Sequence, residues 1–120
     1  MPRHDPLTAA EGELRDAALA FPETAEAFPW GHRAIKVKGK AFIFMALEDD
    51  SLSLSVKLPA SAAQALELPF TEPARYGMGK HGWVTASFGP GDDVPMELVR
   101  AWLAESYRAV APKKLAAQVP

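Results

Sequence analysis

Residues 51–58 read SLSLSVKL, and their alternation is strict. Leu52, Leu54, Val56 and Leu58 fall on one side of an extended chain, and Ser51, Ser53, Ser55 and Lys57 fall on the other. Successive side chains of a strand point to opposite faces, so this stretch predicts a strand with one face in a core and the other in water. An antiparallel sheet covered on one side only has that pattern.

The neighbouring segments extend the sheet. In RAIKVKG (residues 33–39), Ile35 and Val37 lie opposite Lys36 and Lys38, and Gly39-Lys40 predicts a tight hairpin turn. AFIFMAL (residues 41–47) is apolar on both faces. It does not sort, so this strand twists, bulges or places an aromatic on the open face. EDD (residues 48–50) predicts a turn, which makes a three-stranded meander. WVTASF (residues 83–88) predicts a fourth strand.

Helical signals flank the strands. Thr8 opens TAAE, a capping box with Glu11, and Ala10, Leu14, Ala17, Ala18 and Phe21 follow at helical spacing until Pro22. PASAAQALEL (residues 59–68) predicts a short helix with Ser61 and Gln64 as a second capping box. Pro95 suits a first helical position, and Met96, Val99, Leu103, Tyr107 and Val110 form one stripe, with Trp102 off it at the helix edge. Pro112 ends that helix, and the tail from Lys113 reads as a last turn or a frayed end. PETAEAFPWGH (residues 22–32) and PFTEPARYGMGKHG (residues 69–82) read as loops, the first anchored by Phe28 and Trp30.

The order α-β-β-β-α-β-α predicts an α+β two-layer sandwich, an antiparallel sheet with helices on one face. A single domain over residues 1–120 is expected from the length. The helix-free face would carry Lys36, Lys38, Ser53, Ser55, Lys57, Trp83, Thr85 and Ser87.

Composition narrows the chemistry. The chain has no cysteine, which excludes disulfides, thiolate metal sites and cysteine nucleophiles. It has no apolar run near the ~20 residues of a membrane span, so no membrane partner and a cytoplasmic location are expected. A net charge of −2 argues against a globally basic nucleic-acid binder. The charge is uneven, however. Residues 31–46 hold Arg33, Lys36, Lys38 and Lys40 and no acid, and residues 73–91 hold Arg75 and Lys80 and no acid. Brought together in space, the two segments would make a local basic surface.

GMGKHGW (residues 77–83) matches G-x-G-x-x-G in letters. The dinucleotide fingerprint needs a strand before it and a helix after it; here a loop precedes and a strand follows. A phosphate loop fails too, with Ala74 and His81 at positions that need Gly and Ser or Thr. The glycines instead predict positive φ and close backbone approach at the entry to a strand. His4, His32 and His81 lack ligand spacing, so no metal is expected, and nothing implies a cofactor. Ser53 and Ser55 have no glycine elbow, and the Lys80–His81 pair has no carboxylate placed to orient it. Glu48-Asp49-Asp50 reads as a solvated turn. Trp83 either packs beneath the preceding loop, against Tyr76 or Met78, or stands on the open face as a stacking platform.

Three motifs together carry a family resemblance: FPWGHRAIKVKGKAFIFM from Phe28 to Met45, Tyr76-x-Met78-x-Lys80-x-x-Trp83, and SYRAVAPKKL from Ser106 to Leu115. In their order and spacing the chain resembles the YjbR/MmcQ-like proteins from Leu14 to Leu115. Many members have Asn before the lysine and His directly before the tryptophan; here those positions are Gly79 and Gly82. The resemblance implies a CyaY-like sandwich with a double-wing arrangement, and DNA binding. The candidate contact set is Lys36, Lys38, Lys40, Lys57, Arg75, Lys80 and His81, with Trp83 as stacker, on a protein expected to be a monomer. A small-molecule or protein-partner module on the same open face, and an enzyme, remain alternatives.

Overall fold

The computed structural model describes residues 6–28, 32–48, 50–75 and 77–119. Within them an antiparallel sheet runs in the order β1-β2-β3-β4-β6-β5. Its strands are β1 (Thr24–Ala27), β2 (Arg33–Val37), β3 (Lys40–Glu48), β4 (Ser51–Lys57), β5 (Thr71–Pro73) and β6 (Trp83–Phe88). The helices are α1 (Pro6–Leu19), α2 (Ala62–Ala65), α3 (Met96–Val110) and α4 (Lys113–Ala116), and a 3-10 helix spans Met78–His81. The α+β sandwich expected from the sequence is the one observed.

Ser51–Lys57 alternates as its letters demand. Leu52, Leu54 and Val56 are buried, and the serines between them are half-buried. Their cross-strand partners, Phe88, Ala86 and Val84 on β6 and Leu47, Met45 and Ile43 on β3, continue the apolar face. Across that face lies α3, against β3 and β4, with α1 beside it over β1 to β4. From the helices come Leu14, Ala18, Val99, Leu103 and Tyr107, all fully buried. Trp102 is only 4% exposed, so it belongs to the core and not to the helix edge.

β3 failed to sort because it carries a β-bulge. Ile35 pairs with Ile43, but Lys36 pairs with Ala41, which leaves Phe42 as the extra residue. Two successive residues can then face the same side, and Phe42 and Ile43 are both fully buried. Phe42 sits among Phe21 and Tyr107, with ring centroids 6.0 and 5.3 Å away. Beyond the bulge Phe44 turns to the open face. Just past Ile43–Val56, the last β3–β4 pair, the two strands are linked by Ser106 of α3, fully buried. Its Oγ accepts from the Lys57 amide at 2.9 Å and donates to the Phe42 carbonyl at 2.5 Å.

Other expectations are corrected. The sheet has two more strands than the alternation revealed. β1 and β5 are four and three residues long, too short to show a period, and each lies at an edge against a longer neighbour. Glu23 at φ 55° turns α1 into β1, and Thr24 Oγ1 donates to the carbonyls of Leu19 and Phe21. The first hairpin turns at Lys38-Gly39, one residue earlier than expected, with φ of 51° and 81°, as a two-residue turn between Val37 and Lys40 requires. Thr8 lies inside α1, which begins at Pro6, so it is no cap. Pro95 precedes the first residue of α3. Ser61 makes no cap bond; its hydroxyl donates to Glu105 Oε1 at 2.6 Å, while Glu105 Oε2 accepts from the amides of Ala60 and Ser61. The Lys113 tail forms α4, closed by Leu115.

Candidate functional site

Among the described residues the helices pack on one side of the sheet. The register lays out the other side as rows crossing the strands. In one row Phe44, Ser55, Thr85 and Glu72 are successive cross-strand partners. One step toward the β6 start, Lys57 faces Trp83. One step the other way, Ala46, Ser53 and Ser87 align, and beyond them Glu48 meets Ser51. A concavity of about 610 Å³ opens over this face. Phe44 and the hydroxyls line its floor, and Arg75 and Met78, in the connection from β5 to β6, stand along its wall.

The face is electrically lopsided. The pairings bring the end of β2, the starts of β3 and β6 and the end of β4 to one end of the sheet. Lys36, Lys38, Lys40, Lys57, Arg75, Lys80, His81 and Trp83 are therefore grouped at that end. Opposite lie Glu48, Asp50 and the turn after β6 that carries Asp92 and Asp93. Asp92 closes that turn through the Gly89 amide at 2.7 Å.

The eight expected residues do not share one surface. Lys36, Lys57 and Trp83 lie on the open face, and Arg75 lines its wall. Lys80 and His81 are exposed on the 3-10 helix just before Trp83. Lys38 sits in the β2–β3 turn, paired with Glu23 across 2.5 Å. Lys40 pairs with Val37, so alternation directs it to the helix side. Arg33, from the same acid-free run, also falls on the helix side, where it meets Glu26 and Glu11. Its guanidinium stands 5.2 Å from the Phe28 ring. Among the described residues the side chains of Lys36, Lys57, Arg75 and Lys80 make no hydrogen bond or ion pair, so their charges are uncommitted.

Trp83 is half-buried on the open face, with its ring centroid 5.7 Å from Phe44 at 47°. Phe44 was missed because the bulge decides its face, and Glu72 because its strand is too short to read. Tyr76, one of the two covers expected for Trp83 beside Met78, and His4, Trp30 and Asp49 lie outside the described residues.

The glycine segment is a backbone device. Gly77 and Gly82 flank the 3-10 helix with φ of 77° and 85°. A Cβ on Gly79 would stand 2.8 Å from the Pro73 Cβ and 3.2 Å from the Ala74 carbonyl oxygen. An asparagine there does not fit this packing, and a histidine at Gly82 would have to adopt a left-handed backbone. The missing family side chains thus go with a β5–β6 connection built for glycine.

Chemically, the face offers stacking, hydroxyl donors and acceptors, and unpaired cations. Ser55 Oγ bonds Thr85 Oγ1 at 2.8 Å, so its partner is another hydroxyl and not a base. His32 Nε2 lies 2.8 Å from Glu48 Oε1 at the rim. Among the described residues no three His, Asp or Glu side chains come together as a metal site. No described helix is long and apolar enough to cross a membrane.

A family model described as YjbR matches residues 19–109. The fold is similar to the crystal structure of a Deinococcus radiodurans protein with a DUF419 domain, at a TM-score of 0.73 and 25% identity, covering 92% of this chain and 88% of that one. It is also similar to a Pseudomonas syringae protein, at a TM-score of 0.61 and 16% identity, covering 82% and 97%. No curated protein matches the chain.

Proposed function

The chain belongs to the YjbR family, and on that premise we propose that it is a DNA-binding protein that takes a single strand on its helix-free sheet face. One observation carries this: four uncommitted cations, Lys36, Lys57, Arg75 and Lys80, lie at the end of the sheet that carries Trp83, itself packed on Phe44, on a molecule of net charge −2. Folding alone does not require unpaired cations beside aromatics left half-buried on an open sheet face. Such a group attracts phosphates and stacks bases. A strand suits it better than a duplex, because stacking on Trp83 needs a base free of its neighbours. The lysines position the backbone without reading sequence.

The salt response tests this. Each phosphate met by a cation on a single strand contributes ~0.7 to the slope of log K against log salt, so four contacts give about −3. Affinity should then fall roughly fiftyfold between 50 and 200 mM salt. Replacing Lys36 and Lys57 together by alanine should reduce the slope by about 1.4. Anisotropy of a labelled oligonucleotide measures both. A flat response refutes phosphate-driven binding and favours the second reading, a small polar molecule held in the hydroxyl-lined concavity.

A further inference from the structure

Carboxylates do not belong in the path of a phosphate, yet Glu72 lines this concavity. It is exposed, and among the described residues its side chain has no hydrogen-bond or ion partner. Its place in the grid explains it. Glu72 ends the row that starts at Phe44 and passes over Ser55 and Thr85. Three strand spacings separate the aromatic from the acid, about 14 Å between backbones. Both line the same concavity, over a floor fixed by the 2.8 Å hydroxyl pair. The cationic row, Lys57 beside Trp83, lies one same-face step away, ~7 Å along the strands. A nucleotide whose phosphate meets that row sets its base over the Phe44–Glu72 row.

We infer that this row reads the base and selects guanine, with the Glu72 carboxylate accepting from the base edge. The inference rests on the strand-binding proposal. An ionised carboxylate only accepts hydrogen bonds, through two oxygens side by side. Guanine presents two adjacent donors, N1–H and the N2 amino group, which match that fork. Adenine and cytosine present one amino group next to a ring-nitrogen acceptor. Thymine presents one N–H between two carbonyls, which the carboxylate repels. In the Ser55–Thr85 pair one hydroxyl donates to the other, and the accepting one keeps its proton to donate to guanine O6. The acid that disfavours a phosphate at this point thus favours one base.

The test uses labelled dT decamers with a single central dG, dC, dA or dT, titrated by anisotropy at low salt. The dG decamer should bind tightest, about tenfold tighter than all-dT. Glu72→Ala should erase that preference, leave the salt slope unchanged, and leave all-dT affinity equal or higher because a negative charge has gone. Glu72 is exposed at a sheet edge with no partner, so this variant keeps its fold. Equal affinity for all four decamers, or a dG preference that survives Glu72→Ala, overturns guanine selection and leaves strand binding standing. No binding to any decamer overturns both.

Discussion

Replacing Ser106 with alanine removes one oxygen atom from a fully buried polar side chain, 0% exposed. That oxygen joins two backbone groups one residue past the last β3–β4 pair, the Lys57 amide at 2.9 Å and the Phe42 carbonyl at 2.5 Å. The alanine leaves both without a partner in a site closed to water. A buried group left unsatisfied costs ~1–3 kcal/mol. Two such groups, partly relieved by local relaxation, give a loss of about 2–4 kcal/mol, or roughly 8–16 °C in Tm for a chain of this size. Urea unfolding followed by far-ultraviolet circular dichroism measures it. Ser53→Ala deletes the same atom from the open face and should stay within ~0.5 kcal/mol. If Ser106→Ala also stays within ~0.5 kcal/mol, the hydroxyl is not the missing rung of the ladder.

Three further outcomes follow from the fold. Gly79→Ala forces a Cβ to 2.8 Å from Pro73, and should cost ~1–3 kcal/mol in thermal unfolding; an unchanged Tm would contradict the packing of the β5–β6 connection. Burial, and secondarily the nearby Glu23 charge, raise the Tyr107 phenol above its ordinary value of 10.0. The folded state therefore holds this proton after the unfolded chain has lost it. Stability should be intact below pH 10 and decline above it, and Tyr107→Phe should flatten that decline at the expense of the bond to the Pro22 carbonyl. Lys38→Ala breaks only the exposed pair with Glu23, so stability measured in urea should change by less than ~0.5 kcal/mol.

What the letters revealed, and what they hid, divides along a physical line. Alternation at Leu52, Leu54 and Val56 gave a strand, a buried side and a wet side, because period 2 is a local property. The apolar stripe through Val99, Leu103 and Tyr107 gave α3 in the same way. The two edge strands stayed hidden because Thr24–Ala27 and Thr71–Pro73 are ordered by the strands beside them, not by a pattern of their own. The bulge at Phe42 is a register event between two strands, and one sequence does not display register. It alone moves Phe44 to the open face, so the stacking partner of Trp83 was out of reach. The basic cluster was legible only as a count. Sequence placed Lys36, Lys38 and Lys40 together, and the fold separated them: one to the open face, one into a turn beside Glu23, one to the helix side. Gly77, Gly79 and Gly82 were legible in full, since positive φ and close approach are what glycine permits.

The most direct measurement of the central claim is a map of amide shifts in a 15N-labelled sample titrated with a dT oligonucleotide at low salt. Shifts should concentrate at the end of β4, the start of β6, the 3-10 helix and the Trp83 indole N–H, and should shrink as salt is added. Shifts centred on α1 and α3, or a spectrum unmoved at every strand concentration, would contradict a DNA strand seated on the helix-free face.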